Sequence, residues 1–230
     1  MLTQKPSNPQ ENPLKDDLDH ILIHTEGLWE ELRGKRIFIT GGTGFVGCWL
    51  LESFAWANDK LNLNASALVL TRNYEAFQKK APHLASHPAI KFHIGNVRSF
   101  SFPDGEFSHI IHAATEASAK LNDEDPLLMF DTIVEGTRHT LDFAVHCGAK
   151  KFLLTSSGAV YGKQPPDMTH IPEDYCGAPD PTNQTPLMVR ASGLQNFSVR
   201  FIRKNSVSKR KLPVALHLLV PIYPWISITP

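Results

Sequence analysis

Two stretches of this chain hold residue types at spacings that could do chemistry. In TSSGAVYG (155–162) an apolar run gives way to a turn, and a hydroxyl, a small residue and a tyrosine follow in quick succession. That resembles the serine half of a two-part active site, and it raises the question of where a Tyr-x-x-x-Lys would follow. In ITGGTGFVG (39–47), Gly41, Gly44 and Gly47 stand three apart. The first glycine permits a tight turn, the second lets backbone approach a pyrophosphate, and the third lets a following helix pack close to the preceding strand. The helix N-terminus then offers free N–H groups and a partial positive charge to a phosphate. A glycine triplet alone is weak evidence, because a purely structural turn can look the same. The elements around it decide.

Those elements come in the right order. Arg36–Thr40 is a short apolar run before the glycines, and from Phe45 the apolar residues take up helical spacing. SALVLTRN (66–73), AIKFHIGNV (89–97) and FSHIIHAAT (107–115) read as the second, third and fourth strands. Residues 125–148 read as a long helix with Phe130, Ile133, Val134, Thr137, Leu141, Ala144 and Val145 on one face and Gly148 at its C-terminal cap. KKFLLTSS (150–157) is the fifth strand. Strands alternating with helices predict an α/β fold, a Rossmann-like doubly wound parallel sheet, and with it dinucleotide binding. Upstream, Leu18, Ile21, Leu22, Leu28, Trp29 and Leu32 predict a short amphipathic helix, broken or bent near Gly27. His20 and His24 on that helix read as solvent-facing rather than as metal ligands, and no metal site is expected.

The chain of 230 residues carries 23 basic and 23 acidic side chains, a balance that gives no global pull toward nucleic acid or an anionic membrane. Cys48, Cys147 and Cys176 are scattered and read as free buried thiols in a reducing compartment. The first 17 residues are polar and proline-rich without an apolar core, so they read as a disordered cytoplasmic tail rather than a secretory signal. Charge is uneven along the chain. All 23 acidic residues lie at or before Asp180, while Asn183–Pro230 has seven Lys or Arg and no acid.

Choice of dinucleotide stays open at the sequence level. A carboxylate ending the second strand would accept the adenosine ribose hydroxyls and favour NAD. Here that place holds Thr71-Arg72-Asn73. Arg72 could meet the extra phosphate of NADP, stack on adenine, or simply be a solvated surface arginine.

TGGTGFVG (40–47), HAA (112–114), EGT (135–137) and TSSGAVYG (155–162) together resemble the extended short-chain dehydrogenase/reductases, in their NAD-dependent epimerase/dehydratase branch of nucleotide-sugar enzymes. The resemblance covers about residues 34–182. It implies that Gly41, Gly44, Phe45, Val46 and Gly47 bind the pyrophosphate. By the same resemblance Asn96 and Val97 lie by the adenine, with Asn96 where the family commonly has Asp, and Ala113 and Ala114 pass beside the ribose and nicotinamide. Ser157 matches the catalytic hydroxyl, which would hydrogen-bond the sugar oxygen undergoing oxidation. Tyr161 matches a packing residue, and Ile133 stands where many members keep an Asn.

The family's chemistry needs a tyrosinate, and free tyrosine has a pKa of about 10, so a lysine one helical turn away must lower it. Four residues after Tyr74, Tyr161, Tyr175 and Tyr223 stand Gln78, Pro165, Pro179 and Ser227. The pair is missing. Read through the genetic code in another frame, however, LMVRASG (187–193) permits Tyr-Gly-Glu-Gly-Lys-Arg, its first Gly forced by Met188 and Val189. The same frame permits stretches at residues 211–221 and 220–228 that resemble the family, with an Asp forced by Trp225 and Ile226. The expectation is an out-of-frame tail from about Asn183. Rival readings are a basic nucleic-acid or membrane-surface tail at 200–211 and a membrane segment at 212–226, the latter shorter than the ~20 residues a spanning helix needs.

The sequence therefore divides into a polar tail with a short helix (1–33), an NAD(P)-binding domain (34–182), and a poorly packed or disordered tail (183–230) that leaves the sheet incomplete. The resemblance implies NAD or NADP as cofactor and a nucleotide-sugar as substrate of the intact family. It also implies a family-type homodimer, weakened here. No nucleic-acid or membrane partner is expected, and the location is cytoplasmic. As translated, a truncated chain with Ser157 alone is expected to be inactive.

Overall fold

The computed structural model describes residues 12–115, 124–172, 174–175, 177, 190–196 and 198. Five strands, β1 (Arg36–Thr40), β2 (Ser66–Thr71), β3 (Ile90–Ile94), β4 (His109–His112) and β5 (Lys151–Leu154), form one parallel sheet in the order β3-β2-β1-β4-β5. In β1, Ile37 pairs with Ala67 on one side and His109 on the other, and Thr40 pairs with Leu70 and His112. The three central strands therefore end level with one another.

Both faces of this sheet are covered, which is why β1 is buried from Ile37 to Thr40 rather than alternating between buried and exposed. Alternation survives in which core each residue enters. Phe38, Leu70, Ile110, Phe152 and Leu154 point to one side, where they pack with Phe100, Phe107 and the long helix α5 (Pro126–His146) through Leu141, Phe143 and Ala144. Ile37, Ile39 and Val69 point to the other, against α2 (Phe45–Leu61), α3 (Tyr74–Lys80) and α4 (Pro82–Ala85) through Leu51, Phe54, Phe77 and Leu84. The Phe38 ring lies 4.8 Å from that of Phe143 and 5.8 Å from that of Phe107, both edge-to-face, an arrangement favoured by the ring quadrupoles.

The N-terminal helix α1 (Lys15–His24) ends before Gly27 at φ +79°, and a 3-10 turn (Leu28–Leu32) follows, as the sequence predicts. Leu18 is buried and Leu22, Trp29 and Leu32 pack on the α2 side of the sheet. Trp56 Nε1 on α2 donates to Asp19 Oδ1 at 2.8 Å, and Arg33 reaches the Asn62 carbonyl at 2.7 Å. This segment is thus a cover over the sheet. Two residues depart from the expected apolar faces: Leu28 and Val145 lie largely in solvent. Leu28 opens its 3-10 turn and Val145 lies in the last turn of α5, each at an end of its element and off the face that packs on the core. His20 and His24 are exposed. Cys48 is half-buried and Cys147 buried, both free thiols, and Cys176 lies outside the described residues.

The helices α3 and α4 were not legible as helices in the sequence. Asn73 caps α3 by accepting from Ala76 N at 2.9 Å, and Pro82 opens α4, so local capping makes them rather than apolar periodicity. Strands β2, β3, β4 and β5 are shorter than the runs expected, because each chain leaves the ladder as it turns toward the loops above the sheet. Beyond residue 183, residues 190–196 are helical, and Ala191 is buried against Met129 and Ile133 of α5. The basic stretch at 200–211 and the apolar stretch at 212–226 lie outside the described residues. Among the described residues no helix is long and apolar enough to cross a membrane.

Candidate dinucleotide site

Chain direction changes side at the middle of the sheet. From β1 the chain winds outward through β2 to β3, then crosses back to β4 and β5. Such a switch opens a crevice beyond the carboxyl ends of the two strands where it occurs, here β1 and β4. A cleft of about 340 Å³ lies there, with Gly41, Thr43 and Gly44 from the β1 loop and Leu70, Thr71 and Arg72 from the end of β2. Gly95 to Arg98 follow from the end of β3, Ala113 to Thr115 from β4, and Leu128 and Thr132 from α5.

The glycine loop fits this place for steric reasons. Gly41 has φ +71°, a conformation side chains rarely adopt, and a Cβ there would land on the Ala113–Ala114 peptide. At Gly47 a Cβ would strike the Gly41 carbonyl and the Gly42 backbone. The loop and the first turn of α2 are therefore packed against each other and against β4 with no room for side chains. Gly44 N donates to the Gly41 carbonyl at 3.1 Å, and Cys48 N to the Gly44 carbonyl at 2.9 Å, which starts the helix at the rim. Gly136 plays the same part across the cleft, because a Cβ there would come within 2.8 Å of Val97.

Beneath the loop runs a buried chain of hydrogen bonds that the sequence did not reveal. Thr137 Oγ1 donates to the Ile133 carbonyl at 2.6 Å, so it must accept from His112 Nε2 at 3.0 Å. That fixes His112 as the tautomer protonated at Nε2, with Nδ1 accepting from Thr40 Oγ1 at 2.7 Å. Thr40 Oγ1 in turn accepts from Ala114 N at 3.2 Å. The chain ties β1, β4 and α5 together directly under the cleft. Burial holds the His112 imidazole neutral, its pKa pushed down to about 4. HAA and EGT in the sequence were its only trace, and neither motif by itself shows that the histidine and the threonine meet.

Of the residues singled out from the sequence, Gly41, Gly44, Arg72, Asn96, Val97, Ala113 and Ala114 line the cleft. Gly47 is buried behind the loop, while Phe45 and Val46 are exposed on the first turn of α2, with Phe45 67% exposed. Asn96 folds its own turn: its Oδ1 accepts from Arg98 N at 3.0 Å and its carbonyl from Ser99 N at 2.9 Å. Ser157 lies past the end of β5, half-buried, and its carbonyl accepts from Val160 N at 3.2 Å in the short 3-10 turn Gly158–Tyr161. It is one strand further along the sheet from β1 than Ala113. The Tyr161 ring packs 6.4 Å from that of Tyr175, and Ile133 is fully buried. Thr43, Leu70, Gly95, Arg98, Thr115, Leu128 and Thr132 line the cleft without having been foreseen, and so does Thr71 beside Arg72. Thr43, Gly95, Arg98 and Thr115 stand on loops, which carry no periodic signal.

A parallel doubly wound sheet with a glycine-lined crevice at its switch point is a Rossmann-like architecture. Residues 37–186 match the NAD dependent epimerase/dehydratase family, and the chain belongs to it. UDP-glucose 4-epimerase 2 of Oryza sativa is 30% identical over 162 residues, which cover 67% of this chain and 39% of that protein. CDP-glucose 4,6-dehydratase of Salmonella typhimurium is 29% identical over 131 residues, covering 53% and 34%. Among solved structures, the UDP-Glc/GlcNAc 4-epimerase from Campylobacter jejuni superposes with a TM-score of 0.64 at 21% identity, over 79% of this chain and 52% of that one. DesIV, a dTDP-glucose 4,6-dehydratase from Streptomyces venezuelae with NAD and TYD bound, gives 0.62 at 22% identity, over 79% and 54%. The chain thus spans well under half the length of these curated relatives.

Proposed function

We propose that this chain is the dinucleotide-binding half of a nucleotide-sugar epimerase or dehydratase, and that as translated it binds NAD or NADP without turning over a sugar. The observation that carries this reading is the fit of backbone to backbone at Gly41, where the loop meets Ala113 and leaves a bare crevice edge for a pyrophosphate. Gly41 and Gly44 would hold the diphosphate, Asn96 and Val97 the adenine, and Ala113 and Ala114 the far ribose. When bound, the nicotinamide supplies the hydride acceptor for a sugar carbon. Ser157 can donate a hydrogen bond to the sugar oxygen, but a serine hydroxyl has no basicity near neutral pH and cannot take up the proton. No tyrosine in the chain has a lysine four residues on to make it basic.

The missing pair is best explained by a change of reading frame near Asn183. The family match stops at residue 186, just beyond the point where acidic residues cease. The intact protein would be a cytoplasmic enzyme taking a nucleotide-sugar, with a homodimer that is weakened in the present chain.

The test is turnover. The pure 230-residue chain, supplied with NAD or NADP and with UDP-, CDP- or dTDP-glucose, is expected to give no cofactor-dependent product, whereas the chain rebuilt in the alternative frame after codon 183 gains activity. Conversion by the chain as it stands would sink the proposal. So would a rebuilt chain that folds, binds cofactor and converts none of the three sugars.

A further inference from the structure

The glycine loop is held by a side chain from another element. Lys80, in the last turn of α3, reaches across to the loop, and its Nζ donates to the Thr43 carbonyl at 3.0 Å. Cys48 Sγ approaches the same oxygen from α2, at 3.8 Å. That carbonyl lies just outside the helix. Gly44 is the N-cap of α2, and Cys48 N donates to the Gly44 carbonyl rather than to that of Thr43.

The contact matters because of what the loop faces. A diphosphate at a helix N-terminus is attracted by N–H groups and repelled by carbonyl oxygens. Thr43 lines the cleft, so its carbonyl is the oxygen that must be kept from the anion. An ammonium bonded to it fixes the oxygen in place and offsets its partial negative charge. Lys80 can do this because it projects from a firm base. Asn73 caps α3 through Ala76 N at 2.9 Å, and Phe77, one turn before Lys80, is buried with its ring 5.4 Å from that of Phe92 in β3. Lys79, its exposed neighbour in the same turn, carries the same charge.

Resting on the proposed dinucleotide site, we infer that Lys80 is a positioning residue of that site. Its ammonium, bonded to the Thr43 carbonyl, holds the glycine loop in the shape that receives the diphosphate. The diphosphate is the part that NAD and NADP share, so Lys80 strengthens both to the same degree.

Binding tests this without catalysis. The full chain is titrated with NADH and with NADPH by nucleotide fluorescence, alongside Lys80→Met, Lys80→Arg and Lys79→Met. Lys80→Met keeps the length of the side chain and loses its charge and its donor. It should weaken both nucleotides by roughly three- to tenfold, the scale of one hydrogen bond, with the melting temperature of the free chain unchanged. Lys80→Arg should restore most of that affinity. Lys79→Met, which removes the same charge one residue away, should bind as the parent does. Parental affinity in Lys80→Met overturns the inference, and so does a loss that arginine does not restore or that comes with a lowered melt. A loss confined to NADPH overturns it too, because Lys80 would then serve the ribose phosphate instead. Equal losses in Lys79→Met and Lys80→Met do the same, since net charge alone would explain them. Each of these outcomes leaves the site standing, because the parent still binds. If the parent chain binds neither nucleotide, the proposed site falls and the inference falls with it.

Discussion

The ends of β1 and β5 lie two strands apart in the same parallel sheet, and they are built to different standards. At the end of β1, Thr40 accepts from Ala114 N and reaches His112, while Gly41 lies against Ala113 too closely to admit a methyl group. Each residue is held from two directions. At the end of β5 the Ser156 hydroxyl is buried with no hydrogen-bond partner among the described residues, and the turn that carries Ser157 is a single 3-10 element. The first region holds its geometry through contacts within residues 36–140. In the second, Thr155 N donates to the His112 carbonyl at 3.1 Å and Val160 N to the Ser157 carbonyl at 3.2 Å. A sheet that builds its two ends from separate contacts can hold the first whatever becomes of the second.

Substitution at Gly41 is the harshest way to break the ordered end. Gly41→Ala puts a Cβ on the Ala113–Ala114 peptide and forces a left-handed conformation on an alanine. Strain and overpacking together should cost about 4 kcal/mol, a large part of a small domain's stability. The expected result in urea melts is a midpoint lowered to match, with nucleotide binding lost. If Gly41→Ala melts within about 1 kcal/mol of the parent and still binds, the loop is not held as described.

His112 offers a milder and reversible break. Its folded pKa of about 4 lies below the value of 6.5 from which it is shifted, so the unfolded chain takes up a proton first as pH falls. The fold is thus penalised progressively between about pH 6.5 and pH 4, and the contribution is fully present only above 6.5. The loss should be on the order of 3 kcal/mol. Glu31, whose carboxyl Lys151 holds below its usual range, also destabilises the acid form, so the comparison must be made against a variant. His112→Gln keeps a donor and an acceptor but no titratable proton. Its melts should be lower at pH 7 and flatter with pH. Parallel pH profiles for parent and variant would contradict a neutral buried histidine.

The contrast between the two ends also explains what the sequence could and could not disclose. Strand β1, the glycine loop and α5 were legible because burial on both faces, a fixed glycine spacing and helical periodicity each leave a pattern in one stretch of chain. The Thr40–His112–Thr137 bonds were not, since they join residues 72 and 25 positions apart whose meeting only the sheet order decides. Phe45 and Val46 line no part of the cleft because a helix that begins beside it turns its first side chains outward. Arg98 went unnoticed for a different reason. It is one of several arginines on loops, and nothing local marks the one that faces the cleft.

The smallest effect is expected at the looser end, and its sign is informative. Ser156 Oγ is buried without a partner among the described residues, so it bears a desolvation cost that no hydrogen bond offsets there. Replacing it with alanine removes one polar atom and creates almost no cavity. Ser156→Ala should leave stability unchanged or raise it by up to about 1 kcal/mol, and should leave the pH profile set by His112 in place. A loss of more than about 1 kcal/mol would mean that this hydroxyl has a partner after all. The end of β5 would then be as firmly built as the end of β1.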